Sequence, residues 1–426
     1  MVALKTREKY RVKETDFTRE RVLTFSFVAV LILRGHKFSL QNALNKFFGA
    51  LGKLRLTPSN SAYCQARKKL KPELFVELHR TTRDDFYQLY GADDEVLTWR
   101  GHRVVGYDCT YIVLPDQPEL RKKFSTQRNQ HKSECVQALS GVLYDVRNDI
   151  ALGAAIGRIQ AEKNFLFSEL WKDTRVGDLL VMDRNFADYA VIAHAVKDGR
   201  EVLTRCPRQC FAAVNDFWAS DEAELIVTLP LPQSTQTRRY VRENDLPESV
   251  TVRLIKVPLD DGETEVLLTT LCDQRRYPTA EFKQVYHWRW NEETYFDRIK
   301  NIFEAERFSG LSETAIKQDF FGVIFLSTLE SILTKGTQSE LAERDRRRKN
   351  KTRALVNRAI SYVALVDHVT ELLADPRSSS EEVLDELHLL FIKDPTRNRE
   401  GRKFERKKLK HSRKLRFHRY FKRINA

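Results

Sequence analysis

Three pieces of this 426-residue chain carry carboxylates whose surroundings suggest chemical work. Asp108 lies inside the β-branched and aromatic run GYDCTYIVL, where an uncompensated carboxylate costs several kcal/mol, so a cationic partner is expected. Asp183 ends the apolar run LLVMD, and ligands characteristically bind outside the carboxyl ends of strands in open α/β sheets. Taken singly, an aspartate ending a strand is more often a turn or helix-cap residue. The third piece is the helical segment QVYHWRWNEETYFDRIKN, residues 284–301.

Advancing about 100° per residue from Tyr286 puts Arg289 at about 300°, Lys300 at about 320° and Glu293 at about 340°, a single narrow stripe. The sector from roughly 160° to 280° holds Val285, Trp288, Phe296, Ile299, Ile302 and Phe303, a surface suited to packing on a sheet. Glu292 falls in that apolar sector at about 240°, so the rotation selects Glu293 as the ligand, with Asp297 at about 20° as a possible accessory carboxylate. Tyr286 to Lys300 spans about 21 Å, enough to contact several phosphates around a central Glu293. An ordinary amphipathic helix is the plainer alternative.

Several elements must position these groups. Residues 1–100 lack strand-like alternation and read as a separate helical domain, with NALNKFFGALGKL and PELFVELHRTTRDDFYQLYG separated by the turn-prone PSNS. From His102 three strands are expected, in RVVGYDCTYIVL, VQALSGVLYD and IALGAAIG. The helix-like NFLFSELWKD, the strand LLVMD, the helix-like ADYAVIAHAVKDG and the strand EVLTRC follow, an α/β order. Residues 206–280 return to β-like runs, ELIVTLPL, SVTVRLIKV and TEVLLTTLC, and helix resumes over 281–330 with FFGVIFLSTLESIL.

These residues resemble the DDE transposases of the insertion-sequence-four family, whose signature is Tyr, two residues, Arg, three residues, Glu, six residues, Lys. Tyr286, Arg289, Glu293 and Lys300 match every interval. YDCTYIVLPD resembles the family's first aspartate strand, GDLLVMDRNF its second, and PSNSAYCQARKKL its N-terminal Ala-Arg segment. Asn185 stands where small residues are frequent in the family, and Glu292 where an apolar one is usual.

The resemblance implies an α/β fold: an RNase H-like catalytic core over 101–205 and 281–330, interrupted by the β-rich insertion 206–280. A helical N-terminal DNA-binding domain, 1–100, and a helical C-terminal region with a basic tail, 331–426, flank it. Asp108, Asp183 and Glu293 would be catalytic, holding two Mg2+ or Mn2+ ions for in-line phosphoryl transfer. Tyr286, Arg289 and Lys300 would position phosphates, Arg184 would join them on the DNA, and Trp218 would receive a flipped base. The function implied is cut-and-paste transposition of an insertion sequence, acting as a homodimer on paired transposon-end DNA and on target DNA. A metal-dependent nuclease of RNase H-like fold and an inactive, domesticated DNA-binding protein are the alternatives.

Composition bounds these readings. The formal charge of +14 points to a polyanionic partner. Between Arg397 and Arg423 fourteen Lys or Arg face only Glu400 and Glu405, so the tail, interleaved with Phe404, Phe417, Tyr420 and Phe421, carries most of the charge and would bind phosphate salt-sensitively. The apolar run Val22–Leu33 is 12 residues, short of the about 20 that span a membrane, and reads as a buried helix. Six scattered cysteines, unlike a disulfide scaffold, suit a reducing cytoplasm, and the family resemblance implies a bacterial-type, nucleoid-associated location there; Cys206 and Cys210 lack the second pair a zinc site needs.

Overall fold

A computed structural model describes residues 4–19, 21–35, 39–92, 95–128, 134–259 and 262–398. Nearly all of the basic tail read from the sequence lies outside the described residues. The architecture is mixed α/β, a nine-stranded sheet flanked by helices. The strands are β1 (Val104–Leu114), β2 (Ser125–Arg128), β3 (Glu134–Asp145), β4 (Ile150–Gly157), β5 (Leu179–Met182), β6 (Glu201–Arg205), β7 (Glu224–Pro230), β8 (Ser249–Pro258) and β9 (Thr264–Thr269).

They run in the order β2-β3-β1-β5-β6-β9-β8-β7, with β4 pairing the C-terminal half of β3. Only β1–β5 and β5–β6 are parallel; the other pairs are antiparallel. Residues 206–280 therefore extend the main sheet, because β9 pairs with the edge of β6. They also hold two helices the sequence reading did not anticipate, Ala212–Ala219 and Thr235–Glu243. Nor was β2 anticipated, since STQR offers no apolar alternation.

Alternation along the strands divides the interior in two. Val104, Ile112, Val136, Val142, Leu179, Val181 and Leu203 join one core, while Val105, Tyr107, Leu139, Leu143, Leu180, Met182 and Val202 join another on the opposite face. The first core contains the N-terminal helices, the helical segment 282–303 and the long helix Glu313–Arg348. The second contains Phe165, Leu166, Phe186 and Val191. A third packs the outer strands against Ile192, Val214, Phe217 and Val241.

The helices Phe25–Arg34, Leu40–Ala50 and Asn60–Arg67 begin at Thr24, Ser39 and Ser59, whose side chains accept from the N–H groups of Phe27, Asn42 and Ala62. Val22–Leu33 thus contributes a buried helix, and no helix among the described residues is long and apolar enough to cross a membrane. Arg67 locks these helices to the long one. Its guanidinium donates to Gln318 Oε1 at 2.7 Å, Ala315 O at 3.0 Å, Asp319 Oδ1 at 2.7 Å and Ser309 Oγ at 2.5 Å.

A second ionic knot holds the helical segment that runs along β1. Asp149, between β3 and β4, accepts from Arg298 and Arg358 and, at 3.3 Å, from Ser331. Burial alone would push its carboxyl up, but Arg358 and Arg298 together outweigh that and hold it at about 2, below the ordinary 3.8. A depressed folded-state value contributes stability above the unfolded value that is lost as pH falls through the folded one. Asp149→Asn should therefore flatten the acid limb of stability between roughly pH 4 and pH 2, read as the urea midpoint against pH.

Candidate active site

Asp108 and Asp183 meet because of register. The parallel pairing of β1 with β5 ends at Tyr107 opposite Met182, so the next residue on each chain is an aspartate. Asp183 caps the short helical turn Arg184–Phe186, accepting from Asn185 N–H at 2.8 Å. Asp108 Oδ1 accepts from the Cys109 N–H at 2.7 Å. Burial, then the neighbouring carboxylates of Asp183 and Glu162, raise the Asp108 carboxyl to about 6, against the pull of the Cys109 N–H and Arg289.

The segment expected as one continuous helix is broken. An α-helix Phe282–His287 is followed by a tight turn at Trp288 and Arg289, a second α-helix Trp290–Asp297 and a wide π-turn Arg298–Ile302. Arg289, Asn291 and Glu292 N–H bond three residues back, at 3.0 to 3.1 Å, which winds the chain faster than 100° per residue, and the π-turn then winds it more slowly. The single stripe through Tyr286, Arg289, Glu293 and Lys300 is therefore corrected. The apolar sector survives: Val285, Phe296, Ile299 and Phe303 are buried.

The segment follows the face of β1 that carries Gly106, Asp108 and Thr110. Their alternation is unbroken, since β1 pairs with β3 in continuous register from Val105 to Leu114. Lys300 Nζ donates to Thr110 Oγ1, and Asn291 Nδ2 donates to Val146 O at 3.0 Å. Glu292 lies over Gly106, so close that a Cβ there would stand 2.5 Å from its Oε2. Glu292, placed in the inner sector by the rotation, is indeed buried, but that inner surface borders Asp108.

Glu293 is 38 % exposed and forms a 2.9 Å ion pair with Arg289, which is buried over the Tyr286 and Trp290 rings. Tyr286 is half-buried; burial raises its hydroxyl to about 12, with Glu265 and Asp183 adding to the rise and Arg289 opposing it. Arg184 is exposed beside Asp183. Trp218 belongs instead to the outer-strand core, with Arg208 lying 5.3 Å over its ring and its buried indole N–H unpartnered.

Two further acidic residues stand at this site, Glu162, which the sequence reading missed, and Glu292, which it set aside in favour of Glu293. Glu162 starts the helix Glu162–Phe165, its carbonyl accepting from Tyr107 O–H at 3.0 Å, and its carboxyl is raised by burial and then by Asp183. An acid in the first helical turn after β4 was the available signal. Glu292 is fully buried, neither carboxylate oxygen meets a hydrogen-bond donor, and burial followed by Asp108 pushes its carboxyl well up. The Asp108 backbone N–H faces it without reaching bonding geometry.

Among the described residues no three His, Cys, Asp or Glu side chains already converge as a chelating group. The donor chemistry nevertheless fits hard divalent ions, since the adjacent Asp108 and Asp183 and the orphaned oxygens of Glu292 are all carboxylate donors. Gly106→Ala should drive its Cβ into Glu292 and to 3.1 Å from Val146 Cγ1, costing about 1–3 kcal/mol. In urea unfolding, Gly106→Ala combined with Glu292→Ala should recover much of that loss; a purely additive double variant would deny the contact.

The transposase InsG for insertion sequence element IS4 of Escherichia coli (strain K12) is 24% identical over 272 residues, 63% of this chain. The match spans 60% of that relative's length. The cryo-EM structure of piggyBac transposase synaptic complex with hairpin DNA is similar with a TM-score of 0.40 at 8% identity, covering 91% of this chain and 85% of that one. The transposase DDE domain family matches residues 99–329, more than half of the chain, from Trp99 before β1 into the long helix, enclosing Asp108, Asp183, Glu292 and Glu293. The chain belongs to the DDE-domain transposase family.

Proposed function

We propose that the protein is a DNA transposase that cuts the ends of an insertion sequence and joins them to target DNA, with Asp108, Asp183 and Glu293 holding two Mg2+ or Mn2+ ions. The observation that carries this reading is the register that sets Asp108 beside Asp183 where the β1–β5 pairing ends. The order β4-β3-β1-β5-β6, antiparallel through β1 and parallel beyond it, supports an RNase H-like core into which residues 206–280 are inserted. On the same reading, residues 1–100 bind DNA and residues 331–426 form the C-terminal region.

When bound, the two ions would polarise the scissile phosphate and stabilise charge on the attacking and leaving oxygens. The chain's own part is placement. Arg289, steadied by Glu293 and two aromatic rings, offers a guanidinium fork to a phosphate, and Lys300 adds a point charge further along β1. Tyr286 lines the Asp183 side, and exposed Arg184 meets the backbone of the incoming strand. A flipped base stacking on Trp218 would have to displace Arg208 from the ring. The protein would act as a homodimer on paired ends in the cytoplasm, next to chromosomal DNA.

The test is incubation of the full chain with Mg2+, a supercoiled plasmid carrying the element's two ends, and a target plasmid. Joined donor–target product supports transposition. Cleavage without joining would make the protein a nuclease, and binding without cleavage would make it a DNA-binding protein.

A further inference from the structure

We infer that Glu292 is a fourth carboxylate of the divalent-ion pocket, supplying an oxygen beside Asp108; this rests on the metal-dependent reading of that pocket proposed above. Glu292 is 0% exposed and both of its oxygens lack donors. A carboxylate left so costs several kcal/mol, a cost that a coordinated cation removes.

Placement says where such a cation would sit. Glu292 presses on Gly106 and Lys300 reaches Thr110, so the Asp108 side chain emerges on the same face between these two contacts. The missing side chain of Gly106 leaves room for the Glu292 carboxylate, because a Cβ there would overlap it. The cation facing both acids, Arg289, already pairs with Glu293, and its Nε is buried without a partner. A buried and a half-buried hard oxygen donor thus lie together beside an arginine turned to a third, an arrangement that suits Mg2+ or Mn2+.

The test uses the full chain without DNA, titrated with Mn2+ and followed by calorimetry and by electron paramagnetic resonance. Glu292→Gln and Glu292→Leu should each weaken Mn2+ binding by about tenfold or more. The leucine variant fills the buried position without a polar group and guards against a folding defect in the glutamine variant. In the metal-free protein the leucine variant should melt no lower than wild type, since the buried oxygens without donors are gone, and Mn2+ should raise the Tm of both variants less. Wild-type Mn2+ affinity in both variants, with affinity lost in Asp108→Asn, would overturn the role of Glu292 and leave the metal pocket standing. Wild-type affinity in Asp108→Asn as well would overturn both.

Discussion

Asp108→Asn and Asp183→Asn are each expected to lower DNA-end cleavage by on the order of 10³-fold or more while leaving DNA binding nearly unchanged. Bound divalent ions supply several kcal/mol of charge stabilisation in phosphoryl transfer, and each 1.36 kcal/mol is about tenfold in rate. Asparagine keeps the size of aspartate and can still accept the Cys109 or Asn185 N–H, so the fold around β1 and β5 should persist. Binding depends on Lys and Arg contacts to phosphate, which neither substitution touches. Single-turnover cleavage and gel-shift titration on one DNA fragment separate the two quantities. Parallel loss of both would mean that the aspartates serve structure rather than catalysis.

Arg67→Ala should carry the largest stability loss, about 3–5 kcal/mol, seen as a fall in the guanidinium or urea midpoint. Arg67 and Asp319 are both nearly inaccessible, with side-chain exposures of 7 % and 11 %. Truncation strands Asp319 without its cation and Gln318 Oε1 without its donor, at the seam between the N-terminal helices and the helix Glu313–Arg348. Lysine should not rescue, because one ammonium cannot reproduce contacts made by three nitrogens of a fixed fork. Midpoints unchanged within about 1 kcal/mol would show that the seam holds without this network.

The same arginine shows what the sequence could and could not convey. Its Ala-Arg segment was recognisable as a pattern, yet Arg67 meets Ser309, Ala315, Gln318 and Asp319 some 250 positions away, pairings that no local spacing encodes. The strands were legible where apolar alternation or a continuous buried run ruled, as in GYDCTYIVL and LLVMD. They were not where the strand is short and polar, as in STQR, whose partner β3 supplies the order.

The site was readable in its aspartates and only partly in its helix. Asp108 lies within a strand run and Asp183 follows one, and the parallel register makes them neighbours. On the helix, a uniform rotation per residue failed at Trp288–Arg289 and again at Arg298–Ile302, because the hydrogen bonds there are three and five residues back. The rotation placed Glu292 inward correctly but carried no information about what the inward face would meet. That it meets Gly106 and Asp108 is a tertiary fact, visible only once β1 and the helix are set together.

Metal-specific rescue tests the central claim most directly. Asp108→Cys and Asp183→Cys replace a hard oxygen donor with a softer sulfur, which tolerates Mn2+ far better than Mg2+. End cleavage on the supercoiled donor should be abolished in Mg2+ for both variants and partly restored in Mn2+, while wild type cuts with either ion. Cleavage by the cysteine variants at wild-type rate in Mg2+ would contradict direct coordination by Asp108 and Asp183.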